Sequence, residues 1–343
     1  MKELLISTAC ADAHGLLTEG LSPERILRLY GNPLPIYGLL KGRGLGSDDT
    51  EHAAMTATAF ARSAGDPDKF IKVLAWEMRW WLWSLPPATG LATLRALVKL
   101  SLGFPPSRSG VHSAGNGPCM RAPMLGSLVD DVDQLWTLVE RSSRLTHTDP
   151  QAIEGAFAVA FWTQLFKTSG QAPNLGLFIS LLATRCDPQG AITAILRDVH
   201  DSISRGETPA QFCISKGWKK GPSGYVVHTL GAVFSVIYSY DQDWETSIRH
   251  SVLLGGDTDT VAAIIAGMLG VRKSPPQAWV DGLKDWPRSS SWLEQVEASA
   301  RLAAQTGQPQ EVPTLLWWKM WLRNALFLPL VLGYGVRRCF PPY

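Results

Sequence analysis

An all-α protein is the fold this sequence predicts, and three observations predict it. Apolar residues recur at three- and four-residue spacing, as in Phe70, Leu74, Met78, Trp81 and Leu85, and again in Ile153, Phe157, Ala160, Phe161 and Leu165. That period puts them on one side of a helix. No segment alternates apolar and polar residues as a half-buried strand would, and no strand-helix-strand rhythm or internal repeat is present. Paired breakers, Pro86-Pro87, Pro105-Pro106, Gly221-Pro222 and Pro275-Pro276, fall between the periodic stretches and separate one helix from the next. The expectation is a compact bundle of many short helices.

The chain opens on a short apolar run, Leu4 to Ala11. Only Lys2 and Glu3 precede it and Asp12 and His14 follow, so it lacks the form of a secretory signal. Gly46-Ser47-Asp48-Asp49-Thr50 then leads into a helical stretch, Glu51 to Ala64. In the 70–85 stretch the tryptophans Trp76, Trp80, Trp81 and Trp83 are expected in the core rather than as a base-stacking platform. Asp149-Pro150 has the form of an N-cap and first helical residue for the 153–165 stretch. His228 sits in an apolar helical stretch and is expected as a satisfied core histidine, and Gly255-Gly256-Asp257-Thr258-Asp259-Thr260 introduces the helical run Val261 to Leu269.

From Val296 the composition changes. A polar connector, Gln305 to Pro313, leads to Leu315, Leu316, Trp317, Trp318, Met320 and Trp321 and then to Leu326 through Val336. The chain is accordingly divided into a catalytic domain, 1–295, and an appended apolar, aromatic segment, 296–343. A terminal helix packed on the bundle is the simplest reading of that segment. Its flanking Lys319, Arg323, Arg337 and Arg338 also suit peripheral membrane or partner contact through 315–340.

With 343 residues, 45% hydrophobic and 18% charged, the chain can bury the core of one large domain. Its formal charge is +2, and apart from Lys216, Lys219 and Lys220 the basic residues are scattered, so no nucleic-acid partner is expected. Cys10, Cys119, Cys186, Cys213 and Cys339 are dispersed, without metal-ligand spacing, which suits a reducing, cytoplasmic setting. No apolar run approaches the roughly 20 residues that span a bilayer.

The chemistry concentrates at two helix starts. At 255–260 two glycines let the backbone turn sharply, and Asp257 and Asp259 fall in the first helical turn, where free N–H groups and the macrodipole favour negative charge. One aspartate would be an ordinary N-cap, but two with interleaved threonines exceed what capping needs. Ser47, Asp48 and Asp49 repeat the pattern at the second start. If the two converge, their carboxylates repel unless cations neutralise them, and all-oxygen donors select hard ions, two of which suit this many carboxylates.

Gly-Gly-Asp-Thr-Asp-Thr at 255–260 together with Ser-Asp-Asp-Thr at 47–50 resembles the ADP-ribosylglycohydrolase family. Ala11-Asp12-Ala13-His14-Gly15 with Glu19, and Gly115-Asn116-Gly117-Pro118-Cys119-Met120-Arg121, match further family boxes in the same order. Ala11 stands where the family has glycine and His14 where it has an apolar residue, changes placed at the pocket edge. The resemblance covers about residues 4–290 and implies an all-α bundle holding two divalent cations, Mg²⁺ or Mn²⁺, with Ser47, Asp48, Asp49, Asp257, Asp259 and Thr260 as ligands.

By the same resemblance the protein removes mono-ADP-ribose from a modified acceptor, with ADP-ribosyl-arginine on a protein as the expected substrate. The metal pair would hold the ribose hydroxyls and activate water. Asp48 or Asp49 is the candidate for orienting that water or moving a proton, and Glu19 for an acid/base or gating role. Asn116, Gly117 and His147 are the substrate-binding candidates. The alternative is a catalytically silent ADP-ribose-binding or structural relative with the same bundle, whose signature would be loss of ligand oxygens.

Overall fold

The computed structural model describes residues 3–40, 42–87 and 89–337. The first half of the bundle is α1 (Leu4–Gly15), α2 (Pro23–Tyr30), α3 (Asp48–Ser63), α4 (Pro67–Trp83), α5 (Leu91–Ser101), α6 (Pro106–Ser109), α7 (Gly117–Leu128), α8 (Val132–Arg144) and α9 (Pro150–Ser169). The second half is α10 (Leu175–Leu182), α11 (Ala191–Ser204), α12 (Pro209–Ser215), α13 (Val226–Ser239), α14 (Trp244–Leu253), α15 (Thr258–Gly270), α16 (Gln277–Gly282), α17 (Ser290–Thr306) and α18 (Trp317–Arg337). No strand forms among the described residues; four isolated bridges, such as Val111 with His147, join loops. The all-α expectation holds.

Local chemistry starts the helices where the sequence places them. Asp66 caps α4 by accepting from the N–H groups of Asp68 and Lys69, and Asp149 caps α9 from Gln151, each followed by proline at the first helical position. Thr208 and Gln211 form a reciprocal capping box on α12. The centre of the bundle is the pair α1 and α15, every residue of which is buried. A helix that is small and apolar on all sides belongs inside. Around them α7 packs on α9, and α3 lies between α4 and α17.

Several expectations require correction. On α4, Phe70, Leu74, Met78 and Trp81 are buried, but Trp76, Trp80 and Trp83 are 52%, 52% and 61% exposed rather than in the core. Leu85 is not on that helix face: α4 ends at Trp83, since a residue before proline disfavours helical backbone, and Leu85 follows it with φ 56° and is exposed. His228 is half-buried, its ring tilted against Trp218 with centroids 4.3 Å apart and bonded to Ser223 Oγ, rather than a core histidine. His14 is fully buried against Trp279, its Nδ1 2.7 Å from the Ile36 carbonyl, and so does not edge the pocket.

The boundary placed between 295 and 296 falls inside α17, whose Leu293, Val296, Ala300 and Ala303 are buried. Beyond it, α18 lies on the bundle with Arg323, Asn324 and Phe327 buried, while Trp317, Leu326 and Leu332 are exposed. No helix among the described residues is long and apolar enough to cross a membrane. Arg338, named for the C-terminal segment, and Cys339, named among the dispersed cysteines, lie outside the described residues. The other four cysteines are buried free thiols.

Candidate metal centre

Three helices bring the acidic residues together. Asp12 lies on α1, the Ser47 to Thr50 turn begins α3, and Asp257 to Thr260 begins α15. The last start is set by Gly255 and Gly256, with φ 74° and 73°, a region in which glycine is favoured. The turn is pinned on both flanks: Gly256 N–H donates to the Leu21 carbonyl at 2.8 Å and Asp257 N–H to the Pro222 carbonyl at 2.9 Å. Glycine at position 15 lets α1 press against α15, because a Cβ there would stand 2.5 Å from Asp259 Cα.

The carboxylates are not used as ordinary caps. Asp257 is the N-cap of α15 and makes no side-chain capping bond; its Oδ2 accepts instead from Asn116 Nδ2 at 2.7 Å. Asn116, itself the N-cap of α7, also donates to Thr229 Oγ1 at 2.9 Å. Asp49 Oδ2 accepts from Thr260 Oγ1 at 3.1 Å and Ser47 Oγ at 3.3 Å, tying the two motifs to each other.

Asp12 is the residue that sequence reasoning missed as a ligand. Its Oδ2 accepts from Ser47 N–H at 2.8 Å, from Thr50 N–H at 3.1 Å and from Thr50 Oγ1, so it holds the start of α3 from below. One oxygen from each of Asp12, Asp49 and Asp259 lies within 4.8 Å of the others, and all three residues are buried. The Oδ1 atoms of the same three aspartates have no hydrogen-bond partner. Buried carboxylate oxygens without partners are costly, and three side by side are a donor set for a hard cation.

Electrostatics point the same way. Burial, then the charges of neighbouring carboxylates, hold Asp49 and Asp259 well above the ordinary carboxylate range, and burial also raises Asp12 and Asp257. Asp48 is pushed up to about 8, by burial first and then by Asp12, Glu19 and Asp257. A bound cation would reverse the balance in favour of the ionised forms.

Above the carboxylates opens a cleft of about 650 Å³, within the range of small-molecule sites. Every site residue expected from the sequence lines it except Asp49, which lies beneath. Glu19, half-buried, stands in its wall with Ser47 and Asp48. His147 sits under the Asn116 loop, with Cε1 2.9 Å from where a Gly117 Cβ would be. Its Nδ1 is 2.9 Å from Thr146 Oγ1. Burial, and then the nearby Arg121, push His147 down to about 3, so the ring is neutral at pH 7. Sequence reasoning also passed over Lys220, the one cationic side chain lining the cleft among the described residues. Its signal was the isolated lysine cluster at 216–220.

Comparison with known proteins gives a consistent picture. The family model described as ADP-ribosylglycohydrolase matches residues 1–311. An uncharacterized protein of Archaeoglobus fulgidus is 29% identical over 294 residues, covering 83% of this chain and 91% of its own length. A solved structure titled "ADP-ribosylglycohydrolase-related protein complex" superposes with a TM-score of 0.65 at 24% identity, over 89% of this chain and 97% of that one; at that identity it speaks for the fold.

Proposed function

We propose that this chain, which belongs to the ADP-ribosylglycohydrolase family, is a metal-dependent hydrolase that removes mono-ADP-ribose from a modified acceptor, ADP-ribosyl-arginine on a protein above all. The observation that carries the reading is the buried cluster of Asp12, Asp49 and Asp259, which brings one carboxylate oxygen of each within 4.8 Å of the others and leaves each Oδ1 without a hydrogen-bond partner. Asp12, Asp49 and Asp259, with Ser47, Asp48, Asp257 and Thr260, would hold two divalent cations, Mg²⁺ or Mn²⁺. When bound, such cations supply positive charge that polarises the ribose hydroxyls and eases deprotonation of the attacking water.

The protein's own groups divide the remaining work. Asp12 fixes the start of α3 through Ser47 and Thr50, so the α3 carboxylates meet those of α15 in one arrangement. Asn116 orients Asp257 through its amide. Asp48, at the cleft wall, would orient water toward the anomeric carbon, and Glu19, in the same wall, would give a proton to the departing acceptor. Neutral His147 can exchange a hydrogen bond with substrate without adding charge. Lys220 and the glycine-rich loop 221–224 suit a diphosphate at the other end. The four buried free thiols fit a reducing compartment such as the cytoplasm.

The test is release of ADP-ribose from an arginine-ADP-ribosylated protein with Mg²⁺ or Mn²⁺, against EDTA, with Asp257→Ala as the control. Metal-dependent release that the substitution abolishes is expected. Binding of ADP-ribose with no release from any linkage would favour the silent, ADP-ribose-binding alternative.

A further inference from the structure

The match to the family model ends at residue 311, yet the site does not. Helix α18, which lies wholly beyond that point, is locked to the turn that begins the first acidic motif. Arg323 donates to the Gly46 carbonyl at 2.5 Å, immediately before Ser47, and to Asp285 Oδ1 at 3.1 Å. Asn324 donates to the carbonyl and hydroxyl of Ser84 at 2.9 and 3.0 Å. Nearly three turns further along, Tyr334 Oη donates to the carbonyls of Gly38 and Leu39 at 3.1 and 3.0 Å. A helix merely resting on the surface would not bury an arginine and an asparagine to 6% and 1% exposure.

Between these anchors α18 turns Phe327 and Val331 toward the cleft. Phe327 is 5% exposed, packs with Leu16 and Leu39, and lies under the Arg323 guanidinium at 4.1 Å. Phe327 and Val331 line the same cleft as Glu19, Ser47 and Asp48. Another part of the boundary is polar: the loop from Lys220 to Gly224 abuts Gly255 and Asp257. The cleft thus has a cationic, glycine-rich side continuous with α15 and an apolar side continuous with the start of α3. A diphosphate belongs at the first. The group leaving the anomeric carbon would then face the second.

We propose that α18 is the acceptor-side wall of the active site and that Phe327 and Val331 select acceptors that carry the ADP-ribosylated nitrogen on an aliphatic stem. The inference rests on the hydrolase reading above. The stem of an arginine side chain would lie along the phenyl ring and the valine methyls, with its guanidinium beside the acidic residues, whereas a stemless acceptor leaves the wall unused.

The ADP-ribose adducts of agmatine and of guanidine separate these cases, since they share the scissile bond and differ in the stem. Steady-state kinetics of the full chain, Phe327→Ala and Val331→Ala on both adducts should show the KM for the agmatine adduct rising about tenfold relative to that for the guanidine adduct in the same variant. The kcat ratio of the two adducts should stay within about twofold of wild type. Val331 is half-buried and carries none of the anchoring bonds, so its variant tests the wall even where Phe327→Ala loosens the helix. KM values that move in parallel for both adducts, or not at all, overturn the wall while leaving the hydrolase reading intact. Failure of the wild-type protein to cleave either adduct overturns the arginine-type acceptor and the wall with it.

Discussion

Gly15→Ala should separate the metal site from the rest of the fold. A Cβ at position 15 would meet Asp259 Cα at 2.5 Å and the Thr258 carbonyl oxygen at 2.6 Å, where ordinary contact begins at 3.4 Å. Both obstacles are backbone at a fully buried helix start, so α15 must move off α1 by about 1 Å. Asp12 is one turn earlier on α1 and Asp259 is the residue struck, so the movement opens the gap across which their carboxylates would share a cation. Overpacking of this kind costs about 1–3 kcal/mol of stability, and a misplacement of about 1 Å at a reacting centre costs on the order of 100-fold in rate. Gly126→Ala is the matched control, because its Cβ would meet the Ala160 carbonyl oxygen at 2.1 Å where α7 crosses α9. Both variants should lower the urea midpoint. Only Gly15→Ala should weaken Mg²⁺ or Mn²⁺ binding in isothermal titration of the folded protein; equal metal affinity in the two variants would refute the reasoning.

Asp12→Asn keeps an oxygen for the Ser47 and Thr50 donors and removes one negative charge from the cluster. In EDTA it should melt above wild type, because burial already disfavours the Asp12 charge, and it should lose the rise in melting temperature expected of wild type on adding metal. His147→Gln tests the buried neutral histidine. Its folded pKa lies near 3 against an ordinary 6.5, so its contribution is complete above pH 6.5 and is lost as pH falls toward about 3. Between pH 6 and 4 wild type should lose about 1.4 kcal/mol per pH unit relative to the variant; parallel urea-midpoint curves would contradict this. Arg323→Ala leaves Arg288 as the only ion-pair partner of Asp285 and Glu51 among the described residues. Breaking a buried ionic network in this way should cost about 3–5 kcal/mol in urea unfolding, and a cost below about 1 kcal/mol would mean that water replaces the guanidinium.

The parts of this molecule that were legible in its sequence are those decided within a few residues. The period of Phe70, Leu74, Met78 and Trp81 marks a buried helix face because those positions share one side of the cylinder. The same period puts Trp76, Trp80 and Trp83 on the opposite side, where they are exposed; the size of their apolar surface argued for the core, and position prevailed. The acidic helix starts were legible because their carboxylates exceed what capping requires, and Asp257 indeed caps nothing. Asp12 was not legible as a ligand, since it sits inside an apolar helix and its partners Ser47 and Thr50 are 35 and 38 residues away. The link from α18 to the first motif is longer still, 277 residues from Arg323 to Gly46. Helix starts can thus carry a recognisable reaction centre on local backbone geometry alone, whereas the walls that choose its substrate come from contacts between distant segments and leave no periodic mark on either. In this chain the wall beside the first acidic motif is built partly by a segment outside the family match, so what distinguishes this protein's acceptor from its relatives' should be sought in α18 before the metal ligands.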